Sequence, residues 1–192
     1  MSGLIGSPVW GQPVRTMVEF RRENVVLQEW DLSCGAAALA TVLRFQHGDP
    51  ISEREVALGL MQREDYLADP DLLRLRQGFS LLDLKRYSEG RGYVGVGMGG
   101  MEIADLVAGA PVIVPVNLLG YNHFVVFRGV HGNRVLLADP AYGNRTLTLD
   151  RFKAAWIDYP EMGRVGFMVQ RQDGQTGPGA LRPRADEFLS LR

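Results

Sequence analysis

The sequence predicts an α+β fold in which an N-terminal helical layer packs on a mostly antiparallel sheet. Three observations lead there. Apolar residues recur at helical spacing after Cys34, and Ser52 and Ser80 each stand where a helix should start. From Pro111 onward the apolar residues come instead as short β-branched runs separated by turn residues. Gly132-Asn133, lying between two such runs, reads as the turn of a β-hairpin.

The elements follow in order. Residues 1–16 hold Gly, Pro and Ser without a period and read as an irregular arm. Asn24–Leu27 is expected as a short strand. The first helix starts at Cys34, carries Ala37, Ala38, Leu39, Thr41, Val42 and Phe45, and ends before Gly48. Ser52-Glu53-Arg54-Glu55 is a capping-box pattern that opens a second helix, to about Gln62. Met61–Pro70 is expected as a solvated, charged connection. Ser80 caps a third helix that Gly90 stops, and Met101–Ala108 forms a short fourth. Gly95–Gly100 is glycine-rich, but no strand–GxGxxG–helix unit with a following acid surrounds it. It reads as a flexible strand end beside a cleft, not as a nucleotide loop.

In the second half, Pro111–Val116 is a strand whose prolines point to an edge position or irregular ends. His123–Val130 and Arg134–Ala138 form the hairpin. Thr146–Leu149 is a short strand, Asp150 caps a helix to Trp156, and Val165–Gln170 is the last strand. The expected organisation is an irregular arm (1–16), one domain (17–171) and a polar tail (172–192) with a small helix near Asp186–Leu191.

Composition excludes several classes of function. The 192 residues fit one domain, and Lys plus Arg (21) balance Asp plus Glu (22). That balance gives no bulk electrostatic reason to bind nucleic acid or anionic lipid. The longest apolar stretch, about Ile103 to residue 119, is broken by Pro111, Pro115 and Asn117. It falls short of the roughly 20 residues of a membrane helix. The single cysteine, Cys34, rules out an intramolecular disulfide, a zinc ribbon and a CxxC redox motif. No metal or organic cofactor is expected. The first residues lack a basic n-region and a long apolar core, so no secretory signal is expected within them.

Catalytic candidates are few, because there are only three histidines. Cys34 stands where Asp31-Leu32-Ser33 meets a helix. Unpaired N–H groups and the positive end of the helix dipole favour a thiolate there; a buried structural thiol is the competing reading. His123 begins an apolar strand and Asp139 ends its hairpin partner. Alone, His123 can be a core residue and Asp139 a turn-former before Pro140. Together they are cross-strand neighbours near the open end of the hairpin, where Asp139 can hold one imidazole nitrogen and leave the other for a thiol. Gln28 offers an amide N–H that can join the Cys34 backbone N–H at an oxyanion. The set supplies nucleophile, base, orienting carboxylate and oxyanion donor. Of the rest, His131 is expected in solvent, His47 in a capping role near a helix C-terminus, where a cation is favourable, and Trp30 in the core.

The stretch from Gln28 to Leu39 (QEWDLSCGAAAL), with His123-Phe124-Val125-Val126 and Ala138-Asp139-Pro140-Ala141-Tyr142-Gly143, resembles the corresponding boxes of the C39 peptidase family. These are the bacteriocin-processing, double-glycine peptidases, commonly found as domains of ATP-driven peptide exporters. The resemblance covers roughly Val25–Val169. It implies a papain-like cysteine peptidase fold, with Cys34 as nucleophile, His123 as general base and acid, Asp139 as orienting carboxylate and Gln28 as oxyanion donor. Ser33 departs from the Asp that many exporter-linked members carry before the cysteine. With no ATP-binding cassette or membrane domain in the sequence, the chain is similar to stand-alone members, among them the peptidases of functional-amyloid secretion systems. That implies a peptide or secreted-protein substrate, secretion-system or amyloid components as partners, and a periplasmic setting. A non-hydrolytic peptide-binding accessory on the same scaffold is the rival reading.

Overall fold

The structure, a computed structural model, describes residues 15–69, 71–118 and 120–191, so the expected arm lies almost wholly outside the described residues. The helices are α1 (Met17–Arg22), α2 (Cys34–Thr41, continued by a wider turn over Val42–Gln46), α3 (Glu53–Met61), α4 (Glu64–Ala68), α5 (Leu72–Leu75), α6 (Leu81–Gly90), α7 (Ile103–Gly109), α8 (Leu149–Ala155) and α9 (Ala185–Ser190). The strands are β1 (Tyr93–Met98), β2 (Val112–Leu118), β3 (Tyr121–His131), β4 (Arg134–Asp139), β5 (Gly143–Thr148), β6 (Asp158–Tyr159), β7 (Gly163–Arg164) and β8 (Gly166–Arg171). Six strands form one antiparallel sheet in the order β1-β8-β2-β3-β4-β5, and β6 and β7 pair separately. The predicted α+β class is what the chain adopts.

Local chemistry explains the helix starts. Ser52 and Glu55, and Ser80 and Asp83, form reciprocal capping boxes at α3 and α6. Thr148, not the expected Asp150, caps α8. α2 is Cys-Gly-Ala-Ala-Ala-Leu-Ala-Thr, and every one of these residues is buried. Its small side chains let it lie close to β3; a β-carbon on Gly35 would stand 3.3 Å from the Phe124 ring.

The sheet is covered on both faces. On one, Ile113, Val126, Phe167 and Val169 meet Leu39, Leu43, Val56, Leu60 and Leu84 from the helices. On the other, Val112, Val114, Val116, Val125, Phe127, Val135 and Leu137 meet Leu106, Phe152 and Trp156. Alternate residues of β2 and β3 serve opposite cores, which is why these strands read as unbroken apolar runs. α7 and α8 thus build a second layer behind the sheet, beyond the single N-terminal layer expected.

Further expectations are corrected. Asn24–Leu27 is irregular, not a strand; α1 before it starts on a Thr16–Glu19 capping box. β2 is internal, not an edge. It tolerates Pro115 because β8 pairs with β2 only at Ile113, and beyond that point the Pro115 carbonyl accepts from Ile157. Met61–Pro70 is not simply a solvated face: Tyr66 is buried and donates to the buried Asp83, which Arg63 also pairs.

Of residues 172–192, expected as a polar tail, the described part from Gly177 to Leu191 packs back on the body. Arg128 of β3, 1% exposed, donates to the Leu181 carbonyl, to Asn144 and to both oxygens of the buried Glu187. Asn144 in turn donates to the Phe20 and Glu23 carbonyls. Phe188 and Leu191 complete a small core with Phe20 and Leu136. Glu187→Ala leaves the Arg128 charge buried without its carboxylate and is expected to cost about 3–5 kcal/mol in denaturant unfolding. A loss under about 1 kcal/mol, the scale of an exposed pair, would contradict this.

Candidate active site

Three segments converge on one cleft. Cys34 is the first residue of α2, after a turn in which Leu32 takes a left-handed conformation (φ 68°). That turn aims the Leu32 carbonyl at Gly78, where φ is 125° and a β-carbon would stand 3.1 Å from the Leu32 oxygen. Glycine is therefore required at that crossing. His123 lies on β3 and Asp139 ends β4. Continuing the register past Val126 opposite Ala138 sets Asp139 one diagonal step from His123.

The structure brings these two together. The imidazole Nε2 donates to Asp139 Oδ1 at 2.7 Å, with His123 5% and Asp139 2% exposed. Asp139 Oδ1 also accepts from the Ala141 amide at 2.9 Å, and Oδ2 from Arg145 at 3.3 Å. Burial disfavours the Asp139 charge, but His123, Ala141 and Arg145 outweigh it and hold the carboxyl below its ordinary range. For His123, burial also opposes the charged ring. The hydrogen bond to Asp139 and contact with Cys34 overcome it and push its pKa up to about 9. Nδ1 makes no bond of normal geometry, and Cys34 is the second group that acts on the ring. The ring is thus held through Nε2 on Asp139, as expected from the hairpin, while Nδ1 is buried without a hydrogen-bond partner.

Gln28 is tied in through its backbone, whose N–H donates to the Pro140 carbonyl next to Asp139 at 2.9 Å. Its side-chain amide donates to the Trp30 carbonyl at 3.1 Å, while Oε1 is buried without a partner. An amide NH₂ has two hydrogens, so fixing one on Trp30 orients the group and leaves the other free.

Cys34 and His123 open into a cleft of about 790 Å³ lined largely by apolar groups, including Phe79, Leu82, Met98 and Met162. Gly97–Gly99 line it too, as the glycine-rich stretch suggested, though Gly97 is held in register opposite Phe167 of β8. The Gln77–Leu82 wall and Met162 escaped sequence reasoning. Arg145 escaped it as well, because only the β4–β5 register brings it to Asp139. Leu82 and Met162 are about half exposed, but an isolated exposed apolar residue leaves no signal in sequence. Trp30 is 43% exposed and not in the core. Tyr121, 49% exposed, sets its ring 5.9 Å from that of His123. His47 is the C-cap of the wider turn that ends α2, as expected, but not as a cation: burial lowers its pKa, and Nε2 donates to the Val169 carbonyl. Among the described residues, no three His, Cys, Asp or Glu side chains are grouped to hold a metal, and no helix is long and apolar enough to cross a membrane.

The His123–Asp139 pair makes stability depend on pH with a definite sign. A raised His123 pKa contributes fully below its ordinary 6.5 and is lost as pH rises through about 9. A depressed Asp139 pKa contributes above its ordinary 3.8 and is lost in acid. The stability difference between wild type and His123→Ala should therefore shrink from pH 6 to pH 10, a range in which Asp139 stays ionised. An unchanged difference in thermal midpoints would refute the raised pKa.

Comparison with known proteins places this geometry. A sequence model of the C39 peptidase family matches residues 22–160. The chain is 40% identical over 159 residues to the "probable functional amyloid protease FapD" of Pseudomonas fluorescens, spanning 81% of this chain and 67% of that protein. It is 40% identical over 188 residues to the protein of the same description from Pseudomonas aeruginosa, spanning 93% and 78%. Among solved structures, the peptidase domain of Streptococcus ComA superposes with a TM-score of 0.60 at 19% identity, over 77% of this chain and 98% of that one. A double-glycine-motif protease from an AMS/PCAT transporter, solved with its leader peptide, gives 0.57 at 23%, over 77% and 91%. These structural likenesses show the papain-like fold; the sequence matches show the family. The chain belongs to the C39 peptidase family.

Proposed function

We propose that this chain is a cysteine endopeptidase that cleaves a peptide or secreted-protein leader in support of functional-amyloid secretion, with Cys34 as nucleophile, His123 as base and acid, Asp139 as orienting carboxylate and Gln28 as oxyanion donor. The observation that carries the proposal is the His123–Asp139 hydrogen bond with its free nitrogen left for Cys34 at the cleft. An imidazolium beside the sulfur favours the nucleophilic thiolate. The thiolate attacks the substrate carbonyl, and the developing oxyanion is met by the Cys34 backbone N–H and the free amide hydrogen of Gln28. His123 then gives its proton to the leaving amine, and the acyl group remains on sulfur as a thioester. Water, deprotonated by His123, hydrolyses it and restores the pair. Asp139 keeps the ring in one orientation throughout.

The substrate side of the proposal draws support from the relatives. Two are described as functional amyloid proteases and one solved structure as a double-glycine-motif protease. Cleavage after Gly-Gly or a similar small-residue pair, and a periplasmic setting, belong to the same reading. An apolar cleft of this size suits an extended peptide with apolar side chains before such a pair.

The test is mass spectrometry of peptides containing Gly-Gly or Gly-Ala pairs after incubation with the protein. Wild type should cleave beside the small residues and Cys34→Ala should not. Tight binding without cleavage by wild type would favour the non-hydrolytic accessory. His123→Ala should lower turnover by about two to four orders of magnitude. Asp139→Asn should also lower it heavily through the wrong tautomer; near-wild-type rates in both would remove the triad. Gln28→Ala should lower kcat roughly one hundred- to one thousand-fold with little change in KM. A raised KM at constant kcat would make Gln28 a substrate-binding residue instead.

A further inference from the structure

We infer that Glu53 is a positioning residue for the nucleophile, a buried carboxylate on α3 that grips both ends of the loop between Gln28 and Cys34; the inference rests on the peptidase reading of that site. Glu53 is 3% exposed. Its two oxygens accept from the Glu29 amide at 3.1 and 2.9 Å, and Oε1 also accepts from the Ser33 hydroxyl. Glu29 follows Gln28 and Ser33 precedes Cys34, so one carboxylate fixes the spacing of the proposed oxyanion donor and nucleophile.

The loop has little else to hold it. Glu29, Trp30 and Asp31 are exposed, and Leu32 sits in a left-handed turn. The Gln28 amide bonds Pro140 at one end and the Ala37 amide bonds the Ser33 carbonyl at the other. Ser33 occupies the N-cap of α2, where a serine oxygen ordinarily accepts from the helix's own amides. It makes no such bond here. Its single hydroxyl proton is directed at Glu53 and the Trp30 carbonyl, and the charged oxygen is the stronger acceptor.

Glu53 is well placed for this task. It opens α3, where the helix dipole favours a carboxylate. Val56 and Leu60 seat that helix in the core, so the grip is anchored to a rigid element. Among the described residues no cation lies within ion-pair distance of Glu53, so its charge is met by the donors of this one loop. A displacement of about 1 Å can cost on the order of a hundredfold in rate, so a loosened grip should appear in kcat before it appears in substrate affinity.

The experiment compares wild type, Glu53→Ala, Glu53→Gln and Ser33→Ala. It measures kcat and KM on one cleaved peptide, iodoacetamide alkylation of Cys34 at pH 6.5 relative to pH 9, and thermal midpoints. Glu53→Ala should lower kcat roughly ten- to one hundredfold with KM within about threefold, and should lower the share of alkylation retained at pH 6.5. Glu53→Gln keeps an acceptor for Ser33 and should fall between. Ser33→Ala removes one hydroxyl and should lower kcat by about three- to tenfold; it carries the test if Glu53→Ala does not fold. Wild-type kcat and an unchanged alkylation ratio in folded Glu53 and Ser33 variants, with only a lowered midpoint, would overturn the inference and leave Glu53 a structural carboxylate. Alkylation needs no substrate. Failure of the wild type to cleave any peptide would therefore refute the peptidase reading, while the alkylation ratio would still decide whether Glu53 positions Cys34.

Discussion

The hydrogen bond from His123 to Asp139 depends on the pairing of β3 with β4, and the site depends on that bond. β3 carries apolar residues to both cores, so its position is fixed along most of its length before its first turn reaches the cleft. A slip of one residue would send Val125 and Phe127 to the wrong face and carry His123 with them. The apolar pattern that stabilises the sheet therefore also sets the imidazole against its carboxylate. Once there, the pair is almost dry, and in a low-dielectric setting Asp139 favours a charged ring strongly enough to overcome its burial.

Cys34 arrives from the other layer. α2 is buried over its whole length by small residues, and Cys34 is its first, so the same packing that seats the helix fixes the sulfur at the sheet's end. The loop before it is exposed and takes its shape from a few polar contacts: Gln28 on Pro140, Glu29 and Ser33 on Glu53, and the Leu32 turn against Gly78. The division is physical. Burial of apolar surface places the elements, and hydrogen bonds to a few buried acceptors set the final fraction of an ångström that chemistry needs.

What was legible in the sequence follows the same division. The capping boxes at Ser52 and Ser80, the hairpin at Gly132-Asn133 and the β-branched runs carry their own local signals, and those elements appear where expected. The closeness of His123 and Asp139 was legible because a hairpin fixes it. The roles of Glu53, Arg145 and the Gln77–Leu82 wall were not, because each depends on contacts between distant segments. Pro115 misled because an internal strand can still lack a ladder partner at one residue, and β8 leaves β2 before that point. The polar composition of residues 172–192 concealed one buried ion pair, Arg128–Glu187, that ties the segment down. Asn24–Leu27 has strand-like composition but no sheet edge to join.

The most direct test of the account is the titration of the His123 ring followed by NMR in wild type and in Asp139→Asn. The account predicts a charged ring through neutral pH in the wild type, titrating near 9, and a clear fall when the Asp139 charge is removed. A wild-type ring that is already neutral above its ordinary 6.5, and that Asp139→Asn leaves unmoved, would contradict it.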